Sequence, residues 1–501
     1  MKLFQSQQPI ESHQGLNVFS VLLIMKFDEK KMGNINTIVS SKQETMEIYK
    51  SFFPEISKTC SRKPIKGLPQ IGSSLGIKYP SSRDLPLHSG DIWLQGKRAD
   101  EGAEGLWRIH DELYDLTDFI SSHPGGSEWI RMTKGTDITE AFETHHIQET
   151  AQKLLPKYFE KKASKPRNYP FTFHENGFYR TMKRRIREEV VKIPQKFVRQ
   201  SEMIVDSLFI SYVLTAWLAA YSYNFWIGAL AGVFLSYTAI AAHNFFHSRD
   251  NFRMHYFDFS MLSSREWRIS HALSHHLYPN TISDMEISSL EPFFGWLPYK
   301  KHFLFKYMSM ILGPIIYSLL FVASWIKTTI SNVLVNGHIQ WETLLPFTIL
   351  FVQYFGTEQS FLSCVIIFSF IIGCASVHFS IVGVNAAHHH PMLFHDGDAP
   401  RPEEEMDFGV FQLDAVADRK EINSSHLLTI THFGDHALHH LFPTIDHGKL
   451  RFLYPIFIKT CEEFGVEWKC TTQLDLVKGQ YQQLGRDVNE LQPKKMKKIV
   501  E

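Results

Sequence analysis

Four tight groups of histidines carry the chemistry this chain can do. His243 and His247 form an HxxxH, and His271, His275 and His276 an HxxxHH. His436, His439 and His440 form an HxxHH, while His388 and His389 follow Asn385. With 26 histidines in 501 residues the three-histidine patterns stand well above chance, whereas an isolated HxxxH is expected about once. Residues three and four apart share a helix face, so each group is expected to aim two or three imidazoles at one point. Neutral ring nitrogens with few carboxylates or thiolates beside them suit iron, zinc or copper better than calcium or magnesium. Eight or more such ligands are too many for one ion, so two metals sharing the set are predicted.

The elements that must position these groups are apolar stretches. Runs at 204–221, 225–242, 303–326 and 361–384 are each near the length needed to cross a hydrocarbon core, while a fifth, 344–356, is short and contains Pro346. For all the histidine groups to meet, an even number of crossings must separate the first two from the last. One of the three intervening runs must therefore fail to span, and the short one is expected to lie in the interface. The basic stretch from Lys183 to Arg199 precedes the first crossing, whereas the 222–224 turn is uncharged and the 327–342 loop holds only Lys327 and Glu342. The positive-inside rule then places both ends and every histidine group in the cytosol. The sequon Asn423-Ser424-Ser425 should accordingly stay bare.

A second signal lies upstream. His123-Pro124-Gly125-Gly126 is followed by Gly135-Thr136-Asp137, then Thr139-Glu140-Ala141-Phe142, then His145 and His146. A Pro-Gly-Gly turn lets the backbone pass close to a flat cofactor with no Cβ in the way. This segment resembles the cytochrome b5 fold, with Trp107, Tyr114, Leu116 and Phe119 as its hydrophobic lead-in. The resemblance implies one haem b held by His123 and by His146, the latter chosen over its neighbour His145 by spacing. Two axial histidines leave no open position for oxygen, so such a haem moves electrons. Between Glu101 and Glu149 there are eleven Asp and Glu against three Lys and Arg, in a chain of zero net charge. That acidic face is expected to orient a basic reductase or the domain's own catalytic partner.

The membrane half resembles the membrane-bound fatty-acyl desaturases over roughly 200–460. The resemblance rests on His243 and His247, on His271, His275 and His276, on His436, His439 and His440, and on the Pro279-Asn280 and Leu441-Phe442-Pro443 runs. It implies that these histidines hold two iron ions, with a further ligand at His388 or His389 following Asn385. With its haem domain the layout looks like a front-end desaturase, and the GDHALHH run and the Gly105-Leu106-Trp107-Arg108 lead-in are most similar to the insect cytochrome-b5-related proteins. The chain departs from the front-end pattern at His436, where that group usually has Gln, and at Phe245 and Phe246 in the first box. These departures leave the ligand set intact and bear on regiochemistry and substrate.

The expected fold is therefore an N-terminal α+β cytochrome-b5-like haem domain followed by an all-α polytopic membrane desaturase domain with about four transmembrane helices. The expected organisation is a flexible extension over 1–90, the haem domain over 91–165, a basic interfacial linker over 166–202, the desaturase-like domain over 203–460 and a cytosolic tail over 461–501. The resemblance implies O2 as co-substrate, electrons from NADH through NADH-cytochrome b5 reductase, a fatty acyl or lipid substrate, and a multi-pass place in the endoplasmic reticulum membrane. His378 and His432 are candidate supporting partners of the ligands. Two other outcomes fit the same residues: a lipid hydroxylase with the same metals, and a non-catalytic haem electron carrier. Composition agrees with a polytopic protein bearing a soluble domain, at 44% apolar, 40 Phe and 21% charged residues. Five scattered Cys argue against a disulfide scaffold. A short apolar run at 16–25 is not expected to be a cleavable signal, the C-terminal lysines Lys494, Lys495, Lys497 and Lys498 are expected to be a solvated tail, and no nucleic-acid partner is expected.

Overall fold

The computed structural model describes residues 72–85, 87–291, 293–384, 387–489 and 491–493. Most of the expected flexible extension, Asn385 and the C-terminal lysines lie outside these residues.

Helix α1 (Gly90–Asp100) leads into a three-stranded antiparallel sheet, β1 (Trp107–Ile109), β2 (Glu112–Tyr114) and β3 (Phe159–Lys162), in that order. Helices α2 (Ser127–Met132) and α3 (Thr139–His145) are inserted between the second and third strands. Trp107, Ile109, Tyr114, Leu116, Ile130, Ile138 and Phe142 form one small core. The fully buried Trp107 indole keeps a partner by donating to the Ile130 carbonyl at 2.9 Å.

Residues 166–202 are not a simple interfacial linker. They contain α4 (Phe178–Val190), whose Phe178, Tyr179, Met182 and Ile186 are completely buried. The charges expected to lie on lipid bind protein instead: Lys183 and Arg180 reach Glu143 of the haem domain, and Arg187 reaches the Ile147 carbonyl. The expected extension is likewise held from residue 72 onward. Ser73 and Ser74 donate to Asp396, and Arg83 donates to the Ile282 carbonyl and pairs with Glu291 at 2.8 Å.

In the membrane half, α5 (Lys196–Ser222) and α6 (Phe225–Ala242) form a hairpin whose turn is fixed by Asn224, which caps α6 by accepting from the Trp226 and Ile227 amides. Then come α7 (Phe303–Asn336), α8 (Leu345–Phe355) and α9 (Phe361–Val384). At Gly232 a Cβ would stand 2.7 Å from Cys374 Cβ, so the glycine lets α6 and α9 approach backbone to backbone. Four helices among the described residues are long and apolar enough to cross a membrane: Lys196–Ser222, Phe225–Phe245, Ser309–Asn336 and Phe361–Gly383.

The two ends of α7 are held by polar contacts to other parts of the chain. Near its start Lys306 pairs with Asp487 of the C-terminal region. At its end Asn336 donates to Asp91, which pairs with Arg265, which in turn pairs with Glu128 of the haem domain. Between them Phe303, Tyr307, Ile311, Ile315 and Leu319 form an exposed apolar stripe. The short α8, which is not among the four long apolar helices, packs against the bundle. Its lead-in Trp341 packs on His255 beside the first histidine group, while its end reaches the far end of α5 through the bond from Trp217 to the Gly356 carbonyl.

After α9 the chain folds α10 (Phe408–Ala415), β4 (Asp418–Arg419), α11 (His436–Leu441), α12 (Tyr454–Phe464), β5 (Cys470–Thr471) and α13 (Gln473–Gly485) into a cap. β4 and β5 pair in parallel. Residues 461–493 are thus part of this packed cap rather than a free tail: Gln483 donates to the Trp296 carbonyl and Gln480 to the Tyr317 hydroxyl.

Candidate haem pocket and metal centre

His123 and His146 face one another with ring centroids 6.1 Å apart. With metal–imidazole bonds of about 2.0–2.1 Å, two rings sharing one metal have centroids about 6 Å apart. Each ring is oriented from behind, His123 Nδ1 bonding the Gly126 carbonyl and His146 Nδ1 the Phe142 carbonyl, both at 2.9 Å. Both Nε2 atoms are thereby left as donors to a metal. Burial pushes the His146 pKa down to about 4, which keeps it neutral. The reason for Gly125 is more specific than cofactor clearance: a Cβ there would sit 2.8 Å from His123 Cε1 and displace the ring. These residues fit a haem.

The second site is assembled from four elements. His243 ends α6, and His247 follows one turn later. His271 and His275 lie in a π-helical segment, Arg268–His275, in which the His276 amide bonds the His271 carbonyl five residues back. That wider turn puts His271 and His276 on one face and sends His275 elsewhere. His436, His439 and His440 lie on α11, whose first turn is capped by Asp418 accepting from the His436 and Ala437 amides. Gly434 admits this helix, since a Cβ there would meet Thr429 Cα at 2.7 Å.

The histidines form two clusters, and the groups do not each serve one point as the helical spacing suggested. His243, His247, His271, His276 and His439 make the first, and His275, His388 and His440 the second, joined by His436. In the first, His243 Nε2 stands 2.8 Å from His271 Nε2 and 3.1 Å from the Nε2 atoms of His247 and His439. In the second, His388 Nε2 stands 3.0 Å from His275 Nε2 and 2.7 Å from His436 Nε2. Ligand nitrogens at neighbouring corners around one ion are about 2.8–3.4 Å apart. Several ring nitrogens crowded at one point cannot all satisfy one another, and His440 Nε2 is buried with no partner at all. A bound metal would supply what these atoms lack.

Behind the clusters, His271 Nδ1 pairs with Glu286 at 2.7 Å, His275 Nδ1 with Asp284 at 2.9 Å and His440 Nδ1 with Gln412 at 3.1 Å. Burial holds His247, His276, His388, His436, His439 and His440 well below the ordinary imidazole pKa, with neighbouring rings adding to it. For His275 burial acts in the same direction, but Glu286 and Asp284 outweigh it and lift the pKa to about 9. These two carboxylates are the negative groups best placed to offset metal charge at the shared edge of the clusters.

The structure separates the two alternatives after Asn385. His388 enters the second cluster, whereas His389 stacks on Trp296 at 3.8 Å and points away. Sequence reasoning missed why Asn280 follows the second group: its amide donates to the carbonyls of His388, Phe394 and Ala415 and so fixes the backbone carrying His388. It also missed His447, which stacks near His439 at 4.5 Å and is held by Asn244 at 2.6 Å. His378 and His432 do not support the ligands: His378 bonds Ser236, and both rings pack on Tyr237 within the helix bundle. Asn423 of the sequon donates its side-chain amide to the Tyr454 hydroxyl.

An apolar cavity of about 240 Å³ opens on the clusters. Leu262, Trp267, Met285, Leu320 and Phe379 line it, and His271, His275, His388 and His436 close its inner end.

Comparison with known proteins agrees with this geometry. Residues 95–161 match the cytochrome b5-like haem/steroid binding domain family and residues 220–472 match the fatty acid desaturase family. A cytochrome b5-related protein of Drosophila melanogaster is 42% identical over 83% of this chain and 95% of its own length. A probable Delta(5) fatty acid desaturase C of Dictyostelium discoideum is 23% identical over 75% of this chain and 90% of its own. An acyl-lipid (8-3)-desaturase of Mortierella alpina is 23% identical over 72% and 88%. No solved structure matches. The chain belongs to the fatty acid desaturase family and carries a cytochrome b5-like domain on the amino-terminal side of its membrane domain.

Proposed function

We propose that this protein is a membrane-bound, O2-dependent fatty acyl desaturase with two iron ions in its histidine clusters and its own haem b domain as electron donor. The observation that carries the reading is an apolar cavity ending on two all-histidine clusters, next to a docked bis-histidine haem pocket. His243, His247, His271, His276 and His439 would hold one iron, and His275, His388, His436 and His440 the other. The pair would supply oxygen activation and the oxidising power to remove hydrogens from an unactivated carbon chain. The protein's part is to bind the chain in the cavity, exclude water with Leu262, Trp267 and Phe379, and hold the ligand rings through Asp284, Glu286 and Gln412. His123 and His146 would hold the haem, reduced by an NADH-dependent cytochrome b5 reductase in the cytosol. The haem domain and both clusters would face the cytosol from the endoplasmic reticulum membrane.

Desaturase-deficient yeast expressing this chain, compared with the His439→Ala/His440→Ala variant, tests the reading. New double bonds in membrane lipids that require both histidines are expected, and their position gives the regiochemistry. A hydroxylated lipid instead would identify the hydroxylase outcome, and haem reduction without any new lipid in a strain offered a range of acyl chains would favour an electron carrier.

A further inference from the structure

His145 stands between the two redox sites and is used by neither as a ligand. It is the chain neighbour of His146, and its ring centroid lies 6.2 Å from that of His247 in the first cluster. His145 Nδ1 faces the Ala141 carbonyl at 3.1 Å. The Thr144 hydroxyl also lies 3.0 Å from this Nδ1 but gives its own proton to the Glu140 carbonyl at 2.9 Å, so Nδ1 carries the proton that satisfies both oxygens and Nε2 is a bare acceptor, buried with no partner. Conversely, His247 Nε2 points into the metal cluster, so its Nδ1 carries the proton, and that atom too is buried with no partner. One donor and one acceptor, each otherwise orphaned, thus lie on facing rings. Closing the gap into a hydrogen bond would satisfy both.

The surroundings hold this geometry. Trp129 packs on His145 at 5.8 Å and bonds the Ser248 carbonyl, next in sequence to His247. Arg268, at the start of the π-helical segment, lies over the Trp129 ring at 5.0 Å and pairs with Asp250 and Glu128. The haem domain is therefore fastened to the desaturase half at the point where the two histidines meet.

We propose that His145 is the relay between haem and metal centre: the covalent step from His146 to His145, followed by a hydrogen bond from His247 Nδ1 to His145 Nε2, is the route by which electrons reach the first cluster. This rests on the function proposed above. Each transfer moves one electron. The haem that His123 and His146 would hold would give up that electron and the iron that the first cluster would hold would accept it, so the exchange balances, while His145 is neither oxidised nor reduced and its proton stays on Nδ1. His145 acts through its two neighbours and is a positioning residue rather than a catalytic one.

The test uses the full-length holoprotein in detergent or nanodiscs, with the haem pre-reduced and its absorbance followed after mixing with oxygen and a stearoyl thioester probe. His145→Leu removes the acceptor, and His145→Gln restores one at similar reach. Haem reoxidation, normalised to the haem present, should slow by tenfold or more in His145→Leu and recover to within about threefold of wild type in His145→Gln. Haem spectrum, haem midpoint potential and the rate of haem reduction by reductase should be unchanged in both, which a merely structural defect would not allow. A His145→Leu rate within twofold of wild type would overturn the relay, as would equal slowing in both variants accompanied by a shifted haem potential. If even the wild-type haem is reoxidised no faster than in the His439→Ala/His440→Ala variant, the proposed function fails rather than the relay alone.

Discussion

Glu143 provides a quantitative test of how the haem domain is held. It lies on α3 of the haem domain, two residues before His145, and is 2% exposed. It accepts from Arg180 at 2.6 Å and Lys183 at 3.2 Å on α4, and pairs with His110 at 2.9 Å. Burial would raise its pKa, but His110, Lys183 and Arg180 together hold it at about 2 against an ordinary 4.5. The gap corresponds to about 3 kcal/mol at about 1.36 kcal/mol per tenfold change in proton affinity. Breaking a buried pair by removing one partner costs about 3–5 kcal/mol, the same order. Glu143→Gln should therefore weaken the docked haem domain by about 3 kcal/mol, read by urea unfolding of the solubilised full-length protein followed at the haem band. The pH dependence has a fixed sign. A carboxylate whose folded pKa is depressed stabilises above its unfolded value, and that stabilisation is lost as pH falls from 4.5 toward 2. The difference between wild type and Glu143→Gln should accordingly shrink across that window. A loss below about 0.5 kcal/mol at neutral pH, within the range of a surface pair, would refute the reasoning.

Three further outcomes follow from the same geometry. His388→Ala should lose one of the two non-haem metal ions, whereas His389→Ala should keep both because its ring lies on Trp296, as elemental analysis of each purified variant would reveal. Asp284→Asn removes the charge behind His275 and should lower metal affinity about 10–100-fold, measured by competition with a chelator. A glycosylation sequon introduced in the 337–340 loop after α7 should remain unmodified, because Asn336 is tied through Asp91 and Arg265 to Glu128 of the haem domain, and a glycosylated product would put that loop across the membrane from the haem domain.

How much of this was legible in the sequence varies with the kind of constraint. The facing pair His123 and His146 was legible, because His123-Pro124-Gly125-Gly126 and the later His146 sit in local turns whose geometry is set by nearby residues. The histidine groups were legible as a convergent set but not in their partition between two clusters. Helical spacing suggested that His271 and His275 share a face, and the π-helical turn instead pairs His271 with His276. No residue type in 268–276 announces that wider turn, which depends on tertiary packing. The choice between His388 and His389 rested on a backbone held by Asn280 more than a hundred residues earlier, a contact no local pattern encodes. Length and apolarity picked out the four long apolar helices, whereas the partners at the ends of α7, Asp487 and Asp91, lie far away in sequence and no local pattern encodes them. The acidic balance of the haem domain was legible as a docking signal, but its strongest members, Glu140 and Glu143, are buried against Arg167, Arg180 and Lys183 rather than displayed.

The central claim is that nine histidines hold two iron ions beside one haem. Elemental analysis and haem quantitation on the same purified, full-length sample test it most directly. The account predicts two non-haem irons for each haem, falling in His439→Ala/His440→Ala while the haem content stays constant. Zinc in place of iron, or a metal-free sample with full haem occupancy after expression in iron-replete cells, would contradict it.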